Sequence, residues 1–581
     1  MFKRGFHLGS CVVRPALNRV ERNGQTLRLR PKSMDVLAFL AERPGQVASR
    51  DEVLAAVWAD SNVAEEGLTR CIAEIRQALD DDVHRPAYVE TVPKRGYRLI
   101  VPVEQVADPK LALPPDRPGL LVMPFDNLSQ ERQDGYLADG LTEEIISKVS
   151  RLTALRVISR TSTMSLKGTD KDVRALARQL DVQYVVEGSV RKSGRRLRIS
   201  AQLIDAASDT HLWAGQYSGT LDAVFEVQEG VSRAVAKALR LSLSADRQGG
   251  RVAQTNSGLA AYDCYLRARS ASNRFTADGA TEAIDLLEHS LAALGDHAIL
   301  YAGLGYAYFK RANVGPPRDG DYAQAARHAA TAKRMDPGSA QAHLVLGLVH
   351  SAWHGDQIES IRCLRRALAI DPAEPDALWW LTIILGHFMG RMRDAWPLAD
   401  QLSRIDPLNP LAQAIGGTLF FCEGRYDRAV DTFQRAFPEP ALPIQRAWLG
   451  VGLAYAGRTD EALAVIAPVE SVPASDYWSS LCLLLTHALR GEAGRARRVF
   501  TPEFVSLARS GQHYSWQVAS LCARLGWKDD ALDWLLTAVD RGYLNYAHLH
   551  DHDPFLATLR GEPRFKRLMS RVKRASDAII V

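Results

Sequence analysis

Three stretches decide how the chain begins: Ser49-Arg50-Asp51-Glu52-Val53-Leu54-Ala55-Ala56-Val57-Trp58, then Leu68-Thr69-Arg70-Cys71-Ile72-Ala73-Glu74-Ile75-Arg76-Gln77-Ala78-Leu79-Asp80-Asp81, then Tyr88-Val89-Glu90-Thr91-Val92-Pro93-Lys94-Arg95-Gly96-Tyr97-Arg98-Leu99. Ser49 and Glu52 have the spacing of a capping box, in which the hydroxyl and the carboxylate satisfy each other's backbone N–H groups. Val53, Leu54 and Val57 give the helix they start one apolar side. After a loop, Ala59–Val63, the spacing predicts a further helix over Glu65–Leu79. Leu68, Ile72, Ile75 and Leu79 fall on its buried stripe, leaving Thr69, Arg70, Ala73, Glu74, Arg76 and Gln77 facing outward. Val92–Leu99 reads as a basic hairpin tip. Two helices followed by a basic wing suit duplex DNA, with one element in the major groove and the other on the neighbouring backbone.

The flanks agree. Phe6–Val13 and Leu17–Leu29 read as short strands, with Asn23-Gly24 as a tight turn. Pro31 suits the first turn of a helix whose Met34, Leu37, Leu40 and Ala41 share a face, and Pro44-Gly45 stops it. Residues 1–105 hold 16 Lys and Arg against 14 Asp and Glu, and the whole chain carries a net charge of only +5. Any nucleic-acid surface is therefore a local stripe and not a global charge excess.

Residues 5–103 resemble the OmpR/PhoB-type winged-helix family, most closely its ToxR/CadC-like branch, on the three strings quoted above. The resemblance implies that the third helix reads bases and that Lys94, Arg95 and Tyr97 belong to a wing on the adjacent groove or its phosphates. It implies backbone contacts for Arg50 and Trp58, and contact with RNA polymerase for the loop 59–64. The recognition helix departs from many members in being poor in arginine, with Glu66, Ala73 and Glu74 where contacts often lie. Fewer phosphate contacts mean weaker nonspecific affinity and a shallower salt dependence. The plain alternative for this helix is an ordinary amphipathic element with a solvated face.

Residues 106–118 contain Pro109, Pro114, Pro115 and Pro118 and read as a semi-stiff linker. Over 119–250, strand signals at Leu120–Phe125, Arg156–Ser159, Tyr184–Arg191 and Arg196–Asp205 alternate with helix signals at Gly140–Leu152, Asp172–Leu180 and Val224–Leu243. This predicts a small α/β domain. Val-Met-Pro-Phe-Asp-Asn-Leu (122–128), Leu-Ala-Asp-Gly-Leu-Thr-Glu-Glu-Ile-Ile (137–146) and Tyr-Val-Val-Glu-Gly-Ser-Val-Arg (184–191) resemble the TolB amino-terminal-like domain of bacterial regulators. Arg191, Lys192, Arg195, Arg196 and Arg198 make a basic hairpin, read either as a contact for DNA or an acidic ligand or, with more weight, as a solvated edge that discourages strand pairing.

From 256 to 575 the chain repeats itself. Gly320, Gly355, Gly390, Gly424, Gly457, Gly491 and Gly526 recur at intervals of 33 to 35 residues, and five residues after each stands Ala325, Ser360, Ala395, Ala429, Ala462, Ala496 or Ala531. Asp336-Pro337, Asp371-Pro372 and Asp406-Pro407 add a second phase. The period is that of tetratricopeptide repeats, which this region resembles, and implies an all-α superhelix with a concave groove. His548, His550 and His552 with Asp551 and Asp553 read as a surface turn in preference to a metal site, and Phe555–Arg574 as a final helix.

Seven scattered cysteines without a Cys-x-x-Cys pair indicate reduced thiols and no zinc ribbon. No secretory h-region and no apolar run near the ~18 residues of a spanning helix is present. The expectation is a cytoplasmic protein without a membrane anchor. No phosphate loop, nucleophile elbow or metalloprotease helix occurs, so neither an enzyme nor a cofactor is expected. The fold class is thus multidomain: winged helix-turn-helix (α+β), small α/β domain and all-α repeat superhelix. The functional expectation is a one-component regulator of transcription on double-stranded DNA, whose repeats bind a protein, peptide or effector or mediate homo-oligomerisation. The alternative is a repeat scaffold whose winged helix has become a protein-interaction module.

Overall fold

The computed structural model describes residues 6–105, 117–220 and 256–578, with Gly230, Arg233 and Lys237, apart from 9–10, 15–18, 23–24, 42, 58–64, 84–85, 94, 102, 130–134, 151, 153–154, 170–171, 195, 273–276, 315–319 and 470–476. The Asn23-Gly24 turn, Trp58, the loop 59–64, Lys94 and Arg195 lie outside the described residues. So do the side chain of Glu66 and almost all of the linker and of the helix expected over Val224–Leu243. The chain divides into two compact units, Met1–Pro109 and Lys110–Val581.

In the first unit the short strands expected over Phe6–Val13 and Leu17–Leu29 are four: β1 (Phe6–Leu8), β2 (Cys11–Arg14), β3 (Arg19–Arg22) and β4 (Gln25–Arg28). They form an antiparallel meander that β8 (Val103–Gln105) closes by pairing with β1. Helices α1 (Pro31–Ala41), α2 (Arg50–Val57) and α3 (Glu65–Leu79) follow. A second sheet joins β5 (Val47–Ala48), β7 (Gly96–Leu99) and β6 (Val89–Val92), in the order β5-β7-β6. Leu37, Leu40, Val53, Leu68, Ile72, Ile75, Leu79, Val89 and Leu99 share one core, so the apolar stripe of α3 faces inward as its spacing requires.

In the second unit, β9 (Gly119–Val122) lies between β11 (Arg156–Val157) and β12 (Tyr184–Ser193) and is parallel to both. Strands β13 (Arg196–Asp205) and β14 (Thr210–Thr220) extend the sheet antiparallel, and the short β10 (Asp126–Asn127) pairs with β12. Helices α4 (Gly135–Ser150), α5 (Arg160–Met164) and α6 (Val173–Gln179) complete the domain. The basic hairpin is not a sheet edge: β13 is hydrogen-bonded on both sides, by β12 and by the unforeseen β14. Its arginines need another explanation than edge protection.

The repeats then stack as helix pairs. All seven turn glycines adopt the left-handed conformation, with φ from 67° to 90°, where a side chain would be strained. All seven small residues five positions later are 0% exposed, because the two helices of each pair meet there. The middle domain docks on this array. Asp406, of the third Asp-Pro pair, accepts hydrogen bonds from Ser159 Oγ, from Ser162 N at 3.1 Å and from Ser162 Oγ at 2.7 Å. Arg156 Nη1 donates to Arg404 O at 3.0 Å, and Tyr262 OH to a Glu144 carboxylate oxygen on α4 at 2.7 Å.

The far end of the chain turns back along the array. A Cβ on Gly355 would meet Arg541 O at 2.8 Å, one on Gly390 the Asn545 Oδ1 at 2.6 Å, and one on Gly424 the His552 Nδ1 at 2.9 Å. Leu544 N donates to Phe388 O at 2.7 Å, and Asn545 Nδ2 to Gly386 O and His387 O, both at 3.2 Å. Segment 541–552 therefore covers the turns of three successive repeats, and the expected surface turn at His548–Asp553 is partly interior. His548 and Asp553 are fully buried. Asp553 is held there by Tyr455 OH, Trp516 Nε1, Ser520 Oγ and the N–H groups of Phe555 and Leu556. The last helix begins at Pro563, not at Phe555, and runs to Ala578.

Candidate nucleic-acid interface

The capping box at Ser49 sets the start of α2. Ser49 N donates to Glu52 Oε2 at 2.7 Å, and Glu52 N to Ser49 Oγ at 3.2 Å. These hydrogen bonds favour the charged carboxylate and hold Glu52 below its usual pKa. Arg50, the first residue of α2, is exposed. Lys32 Nζ donates to Val57 O at 2.6 Å and so satisfies a carbonyl at the other end of this helix.

On α3, Thr69, Arg70, Ala73 and Gln77 are exposed and share one face. Glu74 and Arg76 do not belong to it. Glu74 turns back on α1: Arg30 N donates to its Oε1 and Ser33 Oγ to its Oε2, both at 2.8 Å. The carboxylate thus caps the start of α1, where backbone donors lack helical partners. Arg76 is 8% exposed. Its Nη2 donates to Val89 O at 2.8 Å and to Thr91 Oγ1 at 2.9 Å, which ties α3 to the wing strand β6. The outward reading of Arg76 is corrected: period alone places it at the margin of the apolar stripe, and the unpaired strand carbonyl draws it in.

Nor are all the acids after α3 outward. Asp80 takes the left-handed conformation, φ 57°, and ends the helix. Asp81 is buried and accepts from Ala87 N, Tyr88 N and Val89 N at 2.6, 3.0 and 2.7 Å. Asp81 and Arg76 together fix the wing against α3, a role that nothing local in the sequence signals.

In the wing, Arg95 is exposed at the tip and its N–H closes the turn on Val92 O at 3.0 Å. Arg98 is spent on its cross-strand neighbour, donating from Nε to Glu90 Oε2 at 2.8 Å. Tyr97 is 4% exposed and belongs to the core, so its place among the contact residues is also corrected. Its strand lies directly on β5: a Cβ on Gly96, at φ 142°, would stand 1.9 Å from Ala48 O. Only glycine permits that approach.

Thr69, Arg70, Ala73 and Gln77 are thus exposed on one face of α3, and Arg50 and Arg95 are exposed cations of the same unit. Residues 24–99 match the family described as transcriptional regulatory protein, C terminal. Residues 24–99 are an OmpR/PhoB-type DNA-binding domain. Residues 118–227 match the second domain of HilA/YgeH-like transcriptional regulators. Among relatives, "Putative adenylate cyclase 3" of Rhizobium meliloti (strain 1021) is 38% identical over 223 residues, which are 38% of either chain. "Transcriptional activator CadC" of Escherichia coli (strain K12) is 42% identical over 117 residues, 19% of this chain and 23% of CadC. "Transcriptional regulator HilA" of Salmonella typhimurium (strain LT2) is 25% identical over 395 residues, 67% of this chain and 69% of HilA. The chain thus spans well under half the length of the first two. Among the described residues, no helix is long and apolar enough to cross a membrane.

Within the second unit, a cavity of about 460 Å³ lies between α4 and the first repeats. Glu143, Glu144, Arg160, Tyr262, Arg269 and Glu374 are among its walls. Arg160 Nε pairs with Glu143 Oε2 at 2.7 Å, and Arg269 pairs with the other oxygen of the same carboxylate. Burial pushes the Glu374 carboxyl up, opposed by the Arg269 guanidinium.

Proposed function

We propose that this chain is a non-enzymatic regulator of transcription that acts in the cytoplasm, and that its OmpR/PhoB-type domain sits on promoter DNA. Thr69, Arg70, Ala73 and Gln77 face the base edges, and Arg50, Arg95 and, by its place in the sequence, Lys94 take the neighbouring phosphates. The observation that carries this reading is the brace formed by Arg76 and Asp81. It holds α3 and the wing as one rigid surface, so the two can engage adjacent grooves together. With Arg76 and Arg98 committed internally, fewer cations remain for phosphate, and each contact changes the salt slope by about 0.9.

The remaining parts follow from the resemblance. Trp58 and the loop 59–64 are assigned to the DNA backbone and to RNA polymerase. The repeats serve a protein or peptide partner or a second copy of the chain, and the cavity between α4 and the first repeats suits a small effector. Pairing two DNA modules through the array converts weak single-site binding into avid binding. Outward acids on and after α3 would favour the scaffold alternative, but Glu74 and Asp81 have internal partners.

The test is selection of genomic fragments by the full-length protein, beside Arg70→Glu/Arg95→Glu. The expected outcome is a shared motif that the charge-reversed protein fails to enrich. Equal recovery by both proteins, or no motif with either, would transfer the assignment to the scaffold.

A further inference from the structure

The repeat that turns at Gly355 carries a group of side chains that the DNA-binding reading does not use. Its first helix, Ala340–Val349, continues as a π turn over His350–His354, and its second runs over Gln357–Ile370. Such a turn inserts an extra residue and re-aims the side chains around it. Here it brings His350 opposite Glu359 and Cys363, which stand four apart on one face of the second helix. One donor atom from each of His350, Glu359 and Cys363 lies within 4.8 Å of the other two, the only such trio of His, Cys, Asp or Glu among the described residues.

From this geometry we infer that His350, Glu359 and Cys363 form a site for a divalent transition-metal ion, zinc best of all. Zinc bonds of about 2.0–2.3 Å set donor separations of roughly 3.3–3.7 Å, and Cys363 Sγ and Glu359 Oε1 stand 4.0 Å apart. Small side-chain movements close the difference. The carboxylate is oriented from outside: Arg362 Nη1 donates to Glu359 Oε2 at 2.9 Å, leaving Oε1 toward the thiol. A partner of this kind fixes the direction of a metal ligand. Cys363 is 6% exposed while His350 and Glu359 are half-buried, and three protein ligands leave a four-coordinate zinc one further position. The His350 ring is tilted against that of His354 at 5.6 Å and makes no hydrogen bond among the described residues. Mixed nitrogen, oxygen and sulfur donors favour zinc over magnesium or calcium, which take oxygen, and over copper(I), which takes softer sets. The ion would link the two helices of this repeat beside the turn on which Arg541 packs.

The test uses tag-free, full-length protein, stripped with a chelator and titrated with Zn²⁺ alone and with Co²⁺ alone. The expected result is saturation at one equivalent, with a thiolate-to-cobalt charge-transfer band. Cys363→Ser should abolish the band and His350→Gln should weaken binding at least tenfold, while Cys264→Ser leaves both intact. Circular dichroism of each variant reports the helical fold. If Cys363→Ser fails to fold, the native band and the His350→Gln titration decide. No saturation by the native chain, or a band and affinity that survive in the folded variants, would overturn the site.

Discussion

Gly491 in the repeats and Arg76 in the winged helix are both fixed by the fold, but through different distances. Around Gly491 a Cβ would meet nothing within 4 Å, so what the position requires is its own backbone angle, φ 71°. Arg76 is fixed by a carbonyl and a hydroxyl on a strand that follows it by 13 and 15 residues. A requirement carried by one residue's backbone repeats wherever the turn repeats. A requirement carried by a partner elsewhere depends on the whole domain being assembled. Exposed polar side chains and polar side chains that brace a fold are therefore alike in composition and unlike in consequence.

The sharpest way to break this contrast is Arg76→Ala. It should lower the stability of the winged-helix unit by about 3 kcal/mol, since it leaves a buried strand carbonyl without its charged donor. Urea unfolding followed on the full chain reads this. Unchanged stability with lost DNA affinity would return Arg76 to the contact surface. Next comes Gly355→Ala, expected to cost about 2 kcal/mol: strain at φ 67° is joined by a clash with the backbone of Arg541. Gly491→Ala at the same repeat position should cost only about 1 kcal/mol. Equal melting temperatures for the two would mean that segment 541–552 contributes nothing at the turns. Glu74→Ala should cost roughly 1 kcal/mol, through loss of the cap on α1, without changing the salt slope of DNA binding.

The smallest effect concerns pH. Burial raises the Glu374 carboxyl above its unfolded value, so folding favours its protonated form. That contribution is present at low pH and fades as pH rises through the folded value. Glu374→Gln should flatten the decline in the melting temperature of the full chain between about pH 4.5 and pH 8. An unaltered profile would show that Arg269 fully compensates the charge.

Most of the architecture was legible because it rests on short-range rules. The capping box, Pro31, the stripe of Leu68, Ile72, Ile75 and Leu79, and the glycine and alanine series each state a local requirement that the folded chain meets. The face formed by Thr69, Arg70, Ala73 and Gln77 was legible for the same reason, being what the stripe leaves over. The inward turns of Glu74, Arg76, Asp81 and Tyr97 were not, because their partners lie on other elements. Strand β14 was missed because Thr210–Thr220 mixes glycine, tryptophan and polar residues without clean alternation. Asp553 was hidden in a string of histidines and aspartates that looks solvent-facing until Trp516, Ser520 and Tyr455 are brought to it.

Segment 541–552 changes what kind of object the array is. A stack of repeats whose units touch only their neighbours is a chain of springs, and it frays one unit at a time from its ends. Here segment 541–552 is packed across Gly355, Gly390 and Gly424, so loosening the middle of the array also breaks its contacts with this segment. Such a body transmits force as a closed truss does. A load applied to segment 541–552 therefore reaches the repeats that turn at Gly355 and Gly390, which precede Asp406 and the middle domain that rests on it.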